Sequence, residues 1–392
     1  MKKEEIIEIE QKHYLPVFSR FPIVLDYGEG AQVYDIDGKR YLDFFAGIAT
    51  SILGHNHPAL VEAISKQAAK IIHTTNIFHT EIQAKLVKKL FEISGLERVF
   101  LSNSGTESIE GAIKLARKFG SKNGGRYKIV STTNSFHGRT LGALSATGQT
   151  KYQKNFEPVL EGFEYAEFNN ISDLKNKFDS KTCAVLIEPI QGEGGILPAS
   201  QEFLEAAADL CRKNNALLIF DEIQTGLFRT GKTFCFEHFN IKPDIMTLAK
   251  ALGGGFPIGA VLCNERVAKE IEKGDHGSTF GGGPLACAAA FAVLSQAQEK
   301  DLAKNAEEIG NYLKEKLNEL KKDFPFIKEV RGKGLLIGME LDKNGGEIVK
   351  KALEKGLIIN CTAQTVLRFA PPLIIGKKEV DEMIKILKEV LL

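Results

Sequence analysis

Short unbroken apolar runs recur through the middle of the chain. Arg98-Val99-Phe100-Leu101, Lys128-Ile129-Val130, Ala184-Val185-Leu186-Ile187 and Ala216-Leu217-Leu218-Ile219-Phe220 read as strands buried on both faces. Segments with helical spacing alternate with them: one from about Glu81 to Leu90, one from Thr106 with Ile109, Ala112, Ile113 and Ala116 on one face, and one from about Gln201 to Asn214. That rhythm predicts an α/β domain with a mostly parallel sheet covered by helices. Before it, Val33 to Asp43 holds two alternating runs joined by Asp37-Gly38, a hairpin signal, and Pro58 to Lys70 reads as a helix. After Gly274 the order changes. Helices over Pro284–Lys304 and Ala306–Lys322 precede short strands at Gly334–Glu340, Leu357–Asn360 and Val366–Phe369 and a final amphipathic helix from Lys378. The pattern therefore divides into an N-terminal segment, 1–55, a large α/β domain, 56–273, and a smaller α+β domain, 274–392, which the N-terminal segment joins.

Composition narrows the partner. The chain has 392 residues, 51 basic and 50 acidic, for a net charge of +1, so nothing favours nucleic acid or an anionic membrane. No run approaches the roughly 18 apolar residues of a membrane helix, and Met1 to Glu10 is too charged for a secretion signal. Cys183, Cys211, Cys235, Cys263, Cys287 and Cys361 are scattered without a C-x-x-C pair, as expected in a reducing, cytoplasmic setting. His55 and His57 precede a helix with no acid or thiol cluster, and a turn accounts for them without a metal.

The chemistry collects at strand ends, where open α/β sheets bind ligands. Phe220 runs into Asp221-Glu222-Ile223-Gln224, Ile187 into Glu188-Pro189-Ile190-Gln191-Gly192-Glu193, and Asp244–Ala249 into Lys250 and a glycine run. Ser104-Gly105-Thr106 opens a helix and offers free N–H groups and a positive dipole end to a phosphate, although serine and threonine also serve as plain caps there. Phe136 and Arg139 place an aromatic face and a carboxylate-gripping fork in one loop. Gly226 to Thr233 matches G-x-x-x-x-G-K-[ST], but no strand runs straight into it and Phe234-Cys235-Phe236 makes a poor helix start. Lys250, if desolvated, would be a carbonyl-reactive amine. A cofactor with an aldehyde, a pyridine ring and a phosphate would use Lys250, Asp221, Phe136 and Ser104-Gly105-Thr106 together.

Asn103-Ser104-Gly105-Thr106-Glu107, Ser135-Phe136-His137-Gly138-Arg139-Thr140, Phe220-Asp221-Glu222-Ile223-Gln224-Thr225-Gly226, Lys250-Ala251-Leu252-Gly253-Gly254-Gly255 and Gly277-Ser278-Thr279-Phe280-Gly281-Gly282 occur in an order that resembles the class III pyridoxal-phosphate aminotransferases. The resemblance covers nearly the whole chain and implies a fold type I transferase. It implies pyridoxal 5'-phosphate held by Ser104, Gly105, Thr106, Phe136, Asp221, Glu222, Ile223, Gln224 and Lys250, with Lys250 and Asp221 as the catalytic pair. It also implies a homodimer with shared sites, in which Thr279 from the neighbouring subunit completes the phosphate site and Ser278 lies near the substrate.

Within the class, the compact length and the Ser-Phe-His-Gly-Arg-Thr-Leu loop resemble the branch of arginine biosynthesis that takes acetylornithine and 2-oxoglutarate. There Arg139 would take the donor's distal carboxylate, Arg368 the α-carboxylate of glutamate, and Glu193 would gate Arg368. Phe228 and Gly283 depart from patterns common among relatives and bear on substrate preference, and Ile48 stands where ornithine aminotransferases tend to carry tyrosine, which speaks against free ornithine as the donor. Ornithine, succinylornithine and 4-aminobutyrate remain alternative donors. A pyridoxal-phosphate aminomutase and a nucleotide-binding module built on Gly226–Thr233 are the readings of other classes.

Overall fold

The computed structural model describes residues 1–392. Its centre is a seven-stranded sheet in the order Arg98–Ser102, Gly259–Cys263, Ile245–Leu248, Leu217–Asp221, Thr182–Ile187, Lys128–Thr132, Phe163–Ala166. Every residue of Thr182–Ile187 and of Leu217–Asp221 is buried, as their unbroken apolar runs require. Gly259–Cys263 runs antiparallel to both of its neighbours, and every other pairing in the sheet is parallel. The connection from Leu248 to Gly259 is too short for a helical crossover, so the chain turns back on itself. This strand and the edge strand Phe163–Ala166 are absent from the sequence reading.

Helix Gly105–Lys122 lies across the sheet on Ile109, Ala112, Ile113, Ala116 and Phe119, and its Ser104 cap accepts from Glu107 N at 3.3 Å. Helix Pro284–Glu299 packs against Pro58–Ala68 and Glu81–Ser94. The next helix, Leu302–Asp323, begins at Asp301, which takes a positive φ of 47° and caps Lys304 N. The helix predicted to reach Lys304 therefore stops at Glu299, and its successor starts before Ala306.

Two four-stranded sheets flank this body, and Ile190–Gln191 pairs with Leu197–Pro198 in a two-stranded ribbon. The predicted hairpin forms as Gln32–Asp35 and Arg40–Asp43, with Asp35 Oδ1 accepting from the N–H groups of Asp37 and Lys39 across the turn. The other sheet has the antiparallel order Ile327–Lys333, Leu336–Leu341, Val366–Phe369, Asn360–Thr362. The run predicted as one strand over Leu357–Asn360 is divided. Leu357–Ile358 pairs in parallel with Arg40–Asp43, and Asn360–Thr362 joins the C-terminal sheet. One change of direction at Ile359 thus stitches the first fifty residues to the last hundred.

Between hairpin and large body, Ala46, Gly47, Ile48 and Ala49 take φ of 48, 62, 67 and 62°, a single left-handed turn. L-residues resist it at about 1–2 kcal/mol each. Asp43 holds it: Oδ1 accepts from Phe45 N at 2.9 Å and Ala46 N at 2.8 Å, and Oδ2 pairs with His55 Nε2 at 2.9 Å. His57 instead meets Lys300 Nζ, so the two histidines do not converge. No helix of the chain is long and apolar enough to cross a membrane.

Candidate active site

A cleft of about 380 Å³ opens at the carboxyl ends of the parallel strands. Lys250 comes just after Ile245–Leu248 and lines it, with its backbone in the left-handed region at φ 40°, where a side chain other than glycine is strained. Burial lowers the pKa of its amine from the usual lysine value, outweighing the opposing pull of Glu193 and Asp221. The result is a larger share of neutral amine.

Asp221 ends its strand in the same cleft. Its Oδ2 lies 2.7 Å from His137 Nδ1, and Oδ1 accepts from Ile223 N at 3.0 Å and Thr247 Oγ1 at 3.1 Å. Since Asp221 accepts, His137 presents Nδ1–H to it, and its Nε2 stands 3.3 Å from Ser131 Oγ. His137 is 2 % exposed, so the carboxylate is fixed by a side chain that cannot wander.

Ser104, Gly105 and Thr106 line the far wall, at the start of a helix whose first-turn N–H groups have no intrahelical partner. Thr106 Oγ1 lies 2.9 Å from Thr140 Oγ1 and accepts from Arg139 N at 3.3 Å, tying the helix start to the Phe136 loop. That closeness needs Gly138: at φ 138° a Cβ there would stand 2.3 Å from Thr106 Oγ1. The Arg139 guanidinium lies 5.4 Å from the Phe136 ring and 4.3 Å from Tyr152, exposed at the mouth.

Arg368 comes from Val366–Phe369 and is 2 % exposed. Its Nη1 donates to Glu193 Oε1 at 2.5 Å and to Gln224 Oε1 at 3.2 Å, and Nε donates to Asn360 Oδ1 at 2.9 Å. Burial pushes the Glu193 carboxyl up, but Arg368 more than offsets it and holds Glu193 below the usual range. The cleft thus carries a buried cation masked by an acid on a glycine-flanked loop.

Of the residues singled out from the sequence, Ser104, Gly105, Thr106, Phe136, Arg139, Glu193, Asp221, Ile223, Gln224 and Lys250 line this one cleft. Arg368 joins it through Glu193 and Gln224. Three others lie elsewhere. The Glu222 carboxylate turns into the adjoining loop, accepting from Thr225 Oγ1, Cys235 N and Phe236 N, because side chains alternate along the strand end. Ser278 sits at the rim, accepting from Asn103 Nδ2 at 3.3 Å, and Thr279 is exposed outside the cleft of its own chain.

The Walker-like loop is not a phosphate cradle. Phe228 and Arg229 fill its interior, Arg229 Nη1 donates to Leu335 O and Pro371 O, and a short 3-10 turn at Cys235–His238 stands where the motif needs a helix. Among the lining residues to which the sequence assigns no role are His137, Glu188 and Thr50. His137 and Glu188 stand inside quoted motifs and were within reach of inference; Thr50, after the left-handed turn, carried no signal.

A desolvated amine, a clamped carboxylate, an aromatic face and an anion-binding helix start on one cleft define a site for carbonyl chemistry on a phosphorylated heteroaromatic aldehyde, and the donor set fits pyridoxal 5'-phosphate. The comparisons with known proteins agree. The description aminotransferase class-III matches residues 15–391, and the chain belongs to that family. It is 54% identical over 392 residues to the acetylornithine aminotransferase of Methanocaldococcus jannaschii, covering 100% of this chain and 98% of that one. It is 52% identical to the acetylornithine aminotransferase of Caldanaerobacter subterraneus, over 98% of this chain and 99% of that one. Among solved structures, the ornithine aminotransferase of Toxoplasma gondii ME49 superposes with a TM-score of 0.96 at 35% identity, covering 100% and 95% of the two chains.

Proposed function

We propose that the protein transfers the terminal amino group of N2-acetyl-L-ornithine to 2-oxoglutarate, yielding N-acetyl-L-glutamate 5-semialdehyde and L-glutamate, a step of arginine biosynthesis. The names of the curated relatives support the donor. The observation that carries the reading is the Arg368–Glu193 pair. A donor reacting at a terminal carbon has no carboxylate beside that carbon, so Arg368 stays paired with Glu193. A 2-oxo dicarboxylic acceptor brings one, which replaces Glu193 on the guanidinium. Arg139, exposed at the mouth, suits the distal carboxylate that the donor and acceptor share.

When bound, pyridoxal 5'-phosphate supplies a carbonyl that takes the amino group and a ring that accepts the electron pair left on the substrate carbon. Lys250 Nζ, its pKa lowered by burial, would take the proton from that carbon and return one to the carbon that held the carbonyl. Asp221, fixed by His137 and Thr247, would pair with the ring nitrogen, and Phe136 would offer its aromatic face to the ring. The N–H groups of Gly105 and Thr106, left free because Ser104 Oγ caps Glu107 N, would hold the phosphate. Gln224 borders both the cofactor end and Arg368.

We assign Thr279 and Ser278 to the site of a second copy, so that the enzyme is a homodimer with shared sites. Thr279 and the next residue, Phe280, are exposed, as are Ile77 and Phe78, which follow Asn76, whose Nδ2 donates to Gly281 O at 2.8 Å. Pairing of Leu357–Ile358 with Arg40–Asp43 supports placing residues 1–55 with 274–392 in one small domain. All six cysteines are free and five are buried, in keeping with a cytoplasmic enzyme.

The deciding experiment measures glutamate formation from 2-oxoglutarate with acetylornithine, succinylornithine, ornithine and 4-aminobutyrate. Acetylornithine is expected to have the highest kcat/KM; a clear preference for another donor overturns the assignment and leaves the class intact.

A further inference from the structure

Glu188 has no part in the transfer chemistry assigned to Lys250 and Asp221, yet it lines the cleft directly after the strand Thr182–Ile187 and is 6 % exposed. Its Oε2 accepts from Phe136 N at 2.9 Å and its Oε1 accepts from Gly192 N at 3.2 Å. One carboxylate thereby joins two loops distant in sequence. The first carries Phe136 and Arg139, and the second carries Glu193. Gly192 is itself confined, because a Cβ there would lie 2.2 Å from Gln224 Oε1, the atom that accepts from Arg368. Gly192 is therefore a fixed post, and Glu193, the next residue, reaches Arg368 from it. Beyond it Thr362 Oγ1 donates to Glu193 O and Arg331 Nη2 to Gly195 O, each at 2.7 Å, so the backbone is held and movement is left to the Glu193 side chain.

We propose that Glu188 is a positioning residue for donor–acceptor discrimination: its two oxygens lock the Phe136 loop and Gly192 into one frame, which sets the reach of Glu193 to Arg368. The inference rests on the gating role proposed for Glu193. Only a carboxylate fits the post, because two N–H donors arrive from different loops and an acceptor-only group can satisfy both. A glutamine would turn its NH₂ toward one of them and release that loop. Burial pushes the Glu188 carboxyl up to about 7, with His137 and the two backbone donors pulling it back and Asp221 adding to the rise. The lock is therefore strongest above about pH 7, where Glu188 is ionised and accepts on both oxygens.

The test uses Glu188→Gln, Glu193→Ala and the double variant as cofactor-loaded and cofactor-free protein. Two readouts are taken: amide hydrogen exchange over peptides containing Phe136 and Gly192, and first half-reaction rates with acetylornithine and with glutamate. In Glu188→Gln, exchange in the cofactor-free protein rises about tenfold in at least one of the two loops, as loss of one charge-assisted bond requires. The acetylornithine preference over glutamate falls in the same proportion, and adding Glu193→Ala lowers it little further, since both changes act on one contact. Glu188→Asp, which keeps the charge but shortens the reach, serves if the glutamine variant does not fold.

If Glu193→Ala alone leaves the preference unchanged, the gate reading falls and this inference with it. If Glu193→Ala alters the preference while Glu188→Gln slows both substrates equally, or leaves exchange in both loops unaltered, only the role of Glu188 is overturned.

Discussion

Replacing Glu193 by alanine tests the gate at its centre. Arg368 is 2 % exposed and its Nη1 is 2.5 Å from Glu193 Oε1, with Gln224 and Asn360 as neutral partners. A net hydrogen bond to a charged group contributes about 1.5–3 kcal/mol. An α-amino acid such as glutamate must break that bond to seat its α-carboxylate on Arg368, whereas acetylornithine reacting at its terminal amine leaves it intact. Removing Glu193 therefore favours glutamate in the first half-reaction by about ten- to hundredfold relative to acetylornithine. The same change leaves a buried guanidinium with no acid beside it, so thermal stability falls, and 2-oxoglutarate restores it by supplying the missing carboxylate.

The assay tracks the cofactor's visible absorption by stopped flow with each amino compound in turn. Glu193→Gln, which keeps an acceptor oxygen without charge, falls between wild type and alanine. A relative preference within about twofold of wild type, together with a lower Tm, would show that Glu193 serves the fold and not selection.

The same geometry sets three other outcomes. With Thr279 in the second copy's site as proposed, the Lys250→Ala and Thr279→Ala proteins each lose activity, and mixing them recovers it because one site per hybrid has its own Lys250 and the other chain's Thr279; no recovery after subunit exchange removes Thr279 from the partner's site. Burial pushes the Glu222 carboxyl up to about 7 from an ordinary 4.5, so the folded state holds an extra proton between those values and stability from this group is lost as pH rises through about 7. Glu222→Gln should accordingly gain on wild type in Tm between pH 5 and pH 7.5, and a constant difference would refute the assignment of that slope. Asp43→Ala leaves Phe45 N and Ala46 N without their acceptor, for a loss of about 2–4 kcal/mol in urea unfolding and a higher KM, since Thr50 lines the cleft just beyond the turn. An unaltered KM would separate the left-handed turn from substrate binding.

Much of this enzyme can be read before any coordinate is known, and the reason is locality. Asp221 and Lys250 announce themselves because a doubly buried strand is an unbroken apolar run, and the residues at its carboxyl end fall at the sheet's ligand-binding edge. Ser104-Gly105-Thr106 is legible because a cap and its helix are neighbours in sequence. Periodicity is silent on anything made between distant segments. Arg368 meets Glu193 across 175 positions, and Glu188 meets the Phe136 loop across 52. Leu357–Asn360 looks like one strand but divides between two sheets, because hydrogen-bonding partners, not apolar content, decide where a strand ends. The left-handed turn at Ala46–Ala49 runs against the preference of its residues and stands because Asp43 and the packing around it hold it there. The amino-acid order thus settles the buried parallel strands at the sheet's centre and the class of chemistry, while the proposed selection between two substrates rests on contacts that exist only once the small sheets close on the large one.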